Sequence, residues 1–349
     1  VIGQTVQGRE IIALKVTKNA RQASDGKRPA VLYNALQHAR EWITVEVNRR
    51  LLHYFLHQAE AGNQEIVQML NTREFWFVLV ANPDGYQYTF DVERLWRKNL
   101  RDNNGDGQIT IGDGVDLNRN WPAHWGYDEE GSSSLAASDT YRGPSPASEP
   151  ETQALKRLLD RIGFKFLVNY HSAGQWLLYP EGWQITTPTA DDPIYRALSG
   201  DLENPAIPEF YPGLSADVLY VTNGETTDYA HSKTGTLAWT PELSEGCDGC
   251  GFVFPDDDAL VQAEFERNLP FALDVAKSAV DPANPVSHLG NTTEPFYVEA
   301  FDTSYGDPQP VEVVAQRSLG KVTLKYRINN GSTRNASTDE WGGGERYGA

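Results

Sequence analysis

His38 and Glu41 stand three residues apart in Leu36-Gln37-His38-Ala39-Arg40-Glu41-Trp42. One imidazole nitrogen and one carboxylate at that spacing supply two of the three protein ligands of an open catalytic zinc site. A second imidazole stands in Tyr170-His171-Ser172, and a further carboxylate in Thr240-Pro241-Glu242-Leu243. Glu242 falls in an apolar run, where burying a carboxylate without a partner is costly, and that cost favours a functional role. Each residue alone has an ordinary alternative: a surface His–Glu pair, a core histidine at a strand end, an arginine in solvent. A second pattern, Asp102-Asn103-Asn104-Gly105-Asp106-Gly107-Gln108, has the D-x-N-x-D-G spacing of a calcium loop. Asp102, Asn104, Asp106 and Gln108 are its candidate ligands, with Thr110 and Asp113 at the later positions.

Positioning these groups requires strands that end where they begin. Pro29 to Ala35 is an apolar run that reads as a buried strand ending just before His38. Ile43, Val47, Leu51, Leu52 and Phe55 follow at helical spacing, giving a helix to about Gln58, and Asn63 to Leu70 reads as a second short helix. Glu10 to Thr17 alternates as a strand. Phe75 to Ala81 is continuously apolar, a strand covered on both faces, and Asn82-Pro83-Asp84-Gly85 ends it with turn chemistry. Asp91 to Trp121 is polar loop. Ser148 to Ile162 is an amphipathic helix, with Ser148 and Glu151 as a capping box. Phe164 to Tyr170 is a strand running into His171, and Thr236 to Leu243 a strand carrying Glu242. Ile194 to Leu202, Thr227 to Ser232 and Asp257 to Lys277 read as helices. Strands alternating with helices predict an α/β sheet, with His38, Glu41, His171 and Glu242 meeting at strand ends. Residues 1–279 form this unit. Residues 280–286, including Val-Asp-Pro-Ala-Asn-Pro, read as a linker. Residues 287–349 read as a small all-β, sandwich-like domain with strands at Phe296 to Phe301, Val311 to Ala315 and Val322 to Ile328.

The 349 residues carry a formal net charge of −18, with 40% hydrophobic and 11% aromatic content. That composition is globular, and its charge argues against nucleic acid or an anionic membrane as partner. No apolar run reaches the length of a membrane span, and Val1 to Ala20 has no signal-peptide pattern. The two cysteines, Cys247 and Cys250, predict a small loop-stapling disulfide, which favours a secreted protein.

Six motifs in order resemble the zinc carboxypeptidases of the carboxypeptidase A kind: Gln37-His38-Ala39-Arg40-Glu41-Trp42-Ile43-Thr44, Asn82-Pro83-Asp84-Gly85-Tyr86, Leu95-Trp96-Arg97-Lys98, Asp116-Leu117-Asn118-Arg119-Asn120-Trp121, Tyr170-His171-Ser172 and Thr240-Pro241-Glu242-Leu243. Within the family the sequence looks nearest to the broad-specificity bacterial carboxypeptidase T type. The resemblance implies a mixed eight-stranded sheet flanked by helices, and an exopeptidase, likened to a monomer, acting on peptide and protein C-termini. It implies one zinc on His38, Glu41 and His171, with Asp116 accepting the other ring proton of His38. Glu242 would be the general base, and Arg97 would polarise the scissile carbonyl. Asn118 and Arg119 would hold the terminal carboxylate, Arg40 would serve the adjacent subsite, and Tyr220 would cap the substrate. Thr227 would form the base of the side-chain pocket, with Glu225 at its edge, which suggests acceptance of both apolar and basic residues. Ala173, Ser244 and the Cys247–Cys250 loop before Phe252 depart from the family pattern at subsites. The rival readings are a peptidoglycan-directed relative and an inactive binding scaffold.

Overall fold

The computed structural model describes residues 1–245 and 257–289, and beyond them short segments that are mainly strands. A two-stranded ribbon, β1 (Gly3–Gln4) and β2 (Glu10–Ile11), precedes β3 (Leu14–Val16) and β4 (Ala30–Ala35). Then come α1 (Trp42–Glu60), α2 (Gln64–Thr72), β5 (Glu74–Val78), α3 (Pro83–Asp91) and α4 (Pro150–Ile162). The second half holds β6 (Phe166–Ser172), β7 (Trp176–Tyr179), α5 (Asp192–Ser199), β8 (Tyr211–Leu214), α6 (Ser215–Val218), α7 (Thr226–Thr234), β9 (Leu237–Leu243) and α8 (Asp258–Ser278).

The main sheet is mixed and runs β3-β5-β4-β6-β9-β7-β8. Strands β5, β4, β6 and β9 are parallel, while β3 and β7 join antiparallel to their neighbours β5 and β9. It therefore has seven strands among the described residues, not the eight the resemblance implied. The parallel centre is buried on both faces, which is why its strands are apolar throughout rather than alternating. Tyr33, Phe75, Phe77, Val168 and Trp239 pack with Phe55 and Phe271 in one layer. Leu32, Trp76, Leu167 and Ala238 pack with Leu155, Leu158 and Tyr229 in the other.

Local departures from the sequence reading have simple causes. The Glu10 to Thr17 run is split into β2 and β3, which belong to different sheets. Asn82-Pro83-Asp84-Gly85 opens α3 rather than merely ending a strand. The Asn82 side chain accepts Gly85 N–H at 3.0 Å, and Pro83 lies in the first turn, where its missing N–H costs nothing. The capping box at Ser148 does not form. Glu149 is the cap position without a side-chain cap bond, Ser148 Oγ donates to Glu149 (2.7 Å), and Glu151 instead accepts Val6 N–H at 3.0 Å. Asn63 and Asp257 cap α2 and α8 through their side chains.

The segment read as a linker is tied down at its far end, where Val286 N–H donates to Ser278 Oγ (2.9 Å) and His288 N–H to Ala197 O (2.9 Å). Further on, β10 (Phe296–Glu299), β11 (Val311–Ala315), β14 (Ser337–Trp341) and β15 (Gly344–Gly348) form an antiparallel sheet, and β12 (Lys325–Tyr326) pairs with β13 (Arg334–Asn335). How these two sheets pack lies outside the described residues, as do Cys247, Cys250 and Phe252. Among the described residues no helix is long and apolar enough to cross a membrane.

Candidate active site

Three strand ends and one loop build the site. After β4 the chain turns sharply at Leu36 (φ 57°), a left-handed conformation that is costly for leucine. Two backbone bonds hold that turn, from Ala81 N–H to Ala35 O and from Asn82 N–H to Leu36 O, both 3.0 Å. The turn places His38 and Glu41 ahead of α1. On the next strand β6 delivers His171, which lies level with Glu242 of β9 in the parallel register, so the two side chains share a face.

His38 Nδ1, His171 Nδ1 and the Glu41 carboxylate converge, all buried: the two imidazole nitrogens are 3.0 Å apart, and His38 Nδ1 lies 2.8 Å from Glu41 Oε1. Glu41 Oε2 lies 3.1 Å from His171 Nδ1 yet accepts no well-formed hydrogen bond. These are the only described residues grouped as three candidate metal ligands. Two nitrogens and an orphaned carboxylate oxygen aimed at one point fit a zinc ion with an open fourth position.

Asp116 organises the far side. Its Oδ1 lies 3.0 Å from His38 Nε2, and its Oδ2 accepts Arg97 Nε and Nη2 at 3.0 and 2.8 Å. An acceptor-only carboxylate there assigns the ring proton to Nε2 and leaves the Nδ1 lone pair facing the site. Burial pushes the Asp116 carboxyl up, but Arg97 and His38 outweigh it and hold the group well below the usual range. Burial, then Arg97, lowers His38, so its imidazole stays neutral as a ligand must be. Burial raises the Glu41 carboxyl, and His38 and His171 more than reverse it, so Glu41 is ionised. Glu242 differs: burial dominates and pushes its carboxyl up to about 7. A proton-exchanging carboxylate is useful in that range.

His38, Glu41, Arg97 and Glu242 line a pocket of about 210 Å³ together with Asn118, Arg119, Tyr220, Glu225, Trp176 and Leu178. Arg119 is buried, donates to Asn118 O (2.8 Å) and to Tyr220 Oη (3.4 Å), and its Nε meets no acceptor. Asn118 Oδ1 accepts Thr226 N–H and Oγ–H at 2.9 and 2.7 Å, which orients the amide and leaves its Nδ2 as a donor. Tyr220 is half-exposed.

Three expected placements change. Thr227 is buried and is not among the residues lining the pocket; its hydroxyl donates to Glu225 Oε1 (2.7 Å), and Glu225 lines the pocket. Arg40 is absent from the lining and its Nη1 pairs with Asp139 at 3.1 Å. The Asp102 to Asp113 loop forms no ligand cluster, so calcium has no support there. Asp102 accepts Gly105 and Gly107 N–H, Asn104 accepts Asp106 N–H, Asp106 accepts Gln108 N–H, and Asp113 accepts Asn103 and Thr110 N–H. The turn chemistry of Asp and Asn alone explains that pattern.

Sequence reasoning also missed a buried amide chain behind the ligands. Gln37 Oε1 accepts Asn169 Nδ2 (2.7 Å) and Thr226 Oγ–H (3.0 Å), and Asn169 Nδ2 lies 3.0 Å from His171 Nε2. The signal was there in polar residues inside apolar strands, since buried amides need partners.

Comparison with known proteins agrees with this geometry. Residues 1–267 match the zinc carboxypeptidase family model, Peptidase_M14. The chain is 31% identical over 271 residues to a metallocarboxypeptidase A-like protein of Trichophyton verrucosum, covering 75% of this chain and 61% of the relative. It is 32% identical over 299 residues to zinc carboxypeptidase A 1 of Drosophila melanogaster, covering 82% and 64%. Among solved structures it resembles bovine thrombin-activatable fibrinolysis inhibitor in complex with tick carboxypeptidase inhibitor (TM-score 0.66, 26% identity, 80% of this chain and 88% of that one). It also resembles a carboxypeptidase A from Helicoverpa armigera (TM-score 0.64, 27% identity, 80% and 67%). The chain belongs to the zinc carboxypeptidase family. It spans a little over three fifths of the length of the curated relatives named here.

Proposed function

We propose that this chain is a zinc-dependent exopeptidase that releases the C-terminal residue of peptides. The observation that carries the reading is one pocket lined by two of the three clustered ligands, His38 and Glu41, and by a buried Arg119 whose Nε meets no acceptor. An enzyme that must grip a free carboxylate cuts only at a chain end. The guanidinium fork of Arg119 and the amide of Asn118 suit that carboxylate. Tyr220, whose hydroxyl already touches Arg119, closes over it.

His38, Glu41 and His171 would hold the zinc, which when bound would supply Lewis acidity and lower the pKa of a bound water towards neutrality. Glu242, level with His171, takes a proton from the attacking water and returns it to the departing amine. Arg97, locked by Asp116, presents its remaining Nη1 to the negative charge that develops on the carbonyl oxygen. Leu178, Leu219 and Trp176 give the pocket apolar walls, and Glu225 adds a negative charge, so both apolar and basic terminal residues fit. Secretion fits the two cysteines.

Hydrolysis of blocked dipeptides ending in Phe, Leu, Arg and Lys tests this. Activity should vanish with a zinc chelator and return with zinc. Glu242→Ala should lower kcat by about 10²–10⁴-fold with zinc retained. Near-full activity in that variant would remove Glu242 as the base, and a hundredfold preference for one residue class would overturn the broad specificity.

A further inference from the structure

Around Glu225 at the pocket wall lies a cluster of acids that takes no part in the bond-breaking step. Glu225 is buried; its two carboxylate oxygens accept the hydroxyls of Thr227 (2.7 Å) and Thr222 (2.8 Å), and its carboxylate also lies within hydrogen-bonding reach of Asp228. One helical turn on, Asp228 is fully buried and accepts Gly182 N–H at 3.0 and 3.2 Å. Gly182 is squeezed between them: a Cβ there would lie 2.5 Å from Glu225 Oε1. Glu181, next in the chain, is buried and its Oε2 has no partner. Among the described residues no Lys or Arg forms an ion pair with Glu181, Glu225 or Asp228.

The other titratable groups facing this cluster are His231 on α7, Asp191 ahead of α5, His124 on the loop after Trp121, and Tyr195 on α5. His231 is occupied: Nε2 pairs with Asp191 (3.0 Å), and Nδ1 lies 3.8 Å from Glu181 Oε1. His124 stacks on Trp183 at 4.2 Å, and burial disfavours its charged form. Burial disfavours the charged form of His231, but Asp191 and Glu181 outweigh it and raise its pKa, so that histidine answers Glu181; among the described residues no cation pairs with Glu225 or Asp228, both of which are buried. Two ionised carboxylates cannot share such a place at low cost, so one of them holds a proton. Burial first, then Glu225 and Glu181, pushes the Asp228 carboxyl well above its ordinary range.

We propose that Asp228 holds a proton that is displaced when a basic C-terminal side chain enters the pocket beside Glu225, so that the preference for Arg and Lys over Leu rises with pH. The inference rests on the exopeptidase reading above. The proton passes from the Asp228 carboxyl to solvent as the substrate's cation arrives; no other bond changes. A leucine side chain brings no charge and releases no proton.

The test is the ratio of kcat/KM for two blocked dipeptides, one ending in Arg and one in Leu, from pH 5.5 to 8.5. Ionisations of the free enzyme common to both substrates cancel in the ratio. One displaced proton makes the ratio rise by up to about tenfold per pH unit below the Asp228 transition and level off above it. The wild type should rise at least about fivefold overall. Asp228→Asn keeps an oxygen for Gly182 N–H but carries no proton to lose, so its ratio should be flat. Glu181→Gln removes one neighbouring charge and should move the transition to lower pH. A wild-type ratio that stays level, with both substrates cleaved, overturns this inference and leaves the exopeptidase reading standing. Failure to cleave either substrate overturns both.

Discussion

Two buried acidic clusters border the same pocket and are built on opposite plans. At the metal corner the ligand carboxylate and the carboxylate behind it each have a cationic or imidazole partner, while Glu242 has none among the described residues and is pushed up by burial. Asp116 takes Arg97 and His38, and Glu41 takes His38 and His171. At the specificity corner Glu225, Asp228 and Glu181 meet hydroxyls, backbone N–H and one histidine. Both corners are built of buried side chains, so the difference lies in where positive charge comes from. The first is arranged around a charge that stays, and its partners fix tautomer and direction before any ligand arrives. The second waits for a charge that the substrate brings, and a proton fills in until then. A pocket can thus hold a rigid chemical centre beside an adaptable recognition wall.

Removing a ligand should break the contrast most severely. Glu41→Gln leaves two imidazoles and no anion, and kcat/KM should fall by at least about a thousandfold, the several kcal/mol expected of a catalytic metal. Zinc content should fall with it; retained zinc with normal turnover would show that Glu41 is no ligand. Asp116→Asn should weaken zinc affinity about 10–100-fold, since it both frees the His38 tautomer and releases Arg97. A competition titration against a chelator reads that change. At the other corner Glu225→Gln should cost Arg substrates about tenfold or more in KM, the loss of a charge-assisted contact, and cost Leu substrates less. Equal losses for both would mean that Glu225 acts on pocket shape rather than charge.

A smaller effect sharpens the comparison away from the site. Burial pushes the Glu151 carboxyl up to about 7, despite hydrogen bonds from Val6 and Asn99, and Glu149 adds to the rise. Its folded-state pKa lies above the unfolded one, so the stability it contributes is present below pH 4.5 and is lost as pH rises through about 7. Glu151→Gln keeps the oxygen for Val6 N–H and stays neutral. Its Tm should exceed the wild type's at pH 8, by on the order of 2 kcal/mol in stability, and approach it at pH 4. An unchanged difference across that range would contradict the assignment.

The metal corner was legible from sequence because rigid strands carry it. The apolar runs ahead of His38 and into His171 fix where each imidazole must emerge, and Glu242 is conspicuous as a carboxylate in an apolar strand. At the specificity corner the sequence pointed to both Thr227 and Glu225 but not to which of the two lines the pocket. Thr227 and Glu225 sit at the start of α7, where each residue turns by about 100°, so only the capping residue faces the pocket while the next but one points into the protein. Spacing alone does not single out a metal at the Asp102 loop, because Asp and Asn at alternate positions satisfy backbone N–H groups as readily as a cation. The amide chain of Gln37 and Asn169 depends on pairing between strands far apart in sequence, which periodicity does not report.

The most direct measurement is a zinc titration of metal-stripped protein, following bound zinc and hydrolysis of a blocked dipeptide together. The wild type should bind one tight equivalent, with activity restored in proportion, and His38→Ala and His171→Ala should each lose both. Tight, stoichiometric zinc binding that survives in the two histidine variants would contradict the account at its centre.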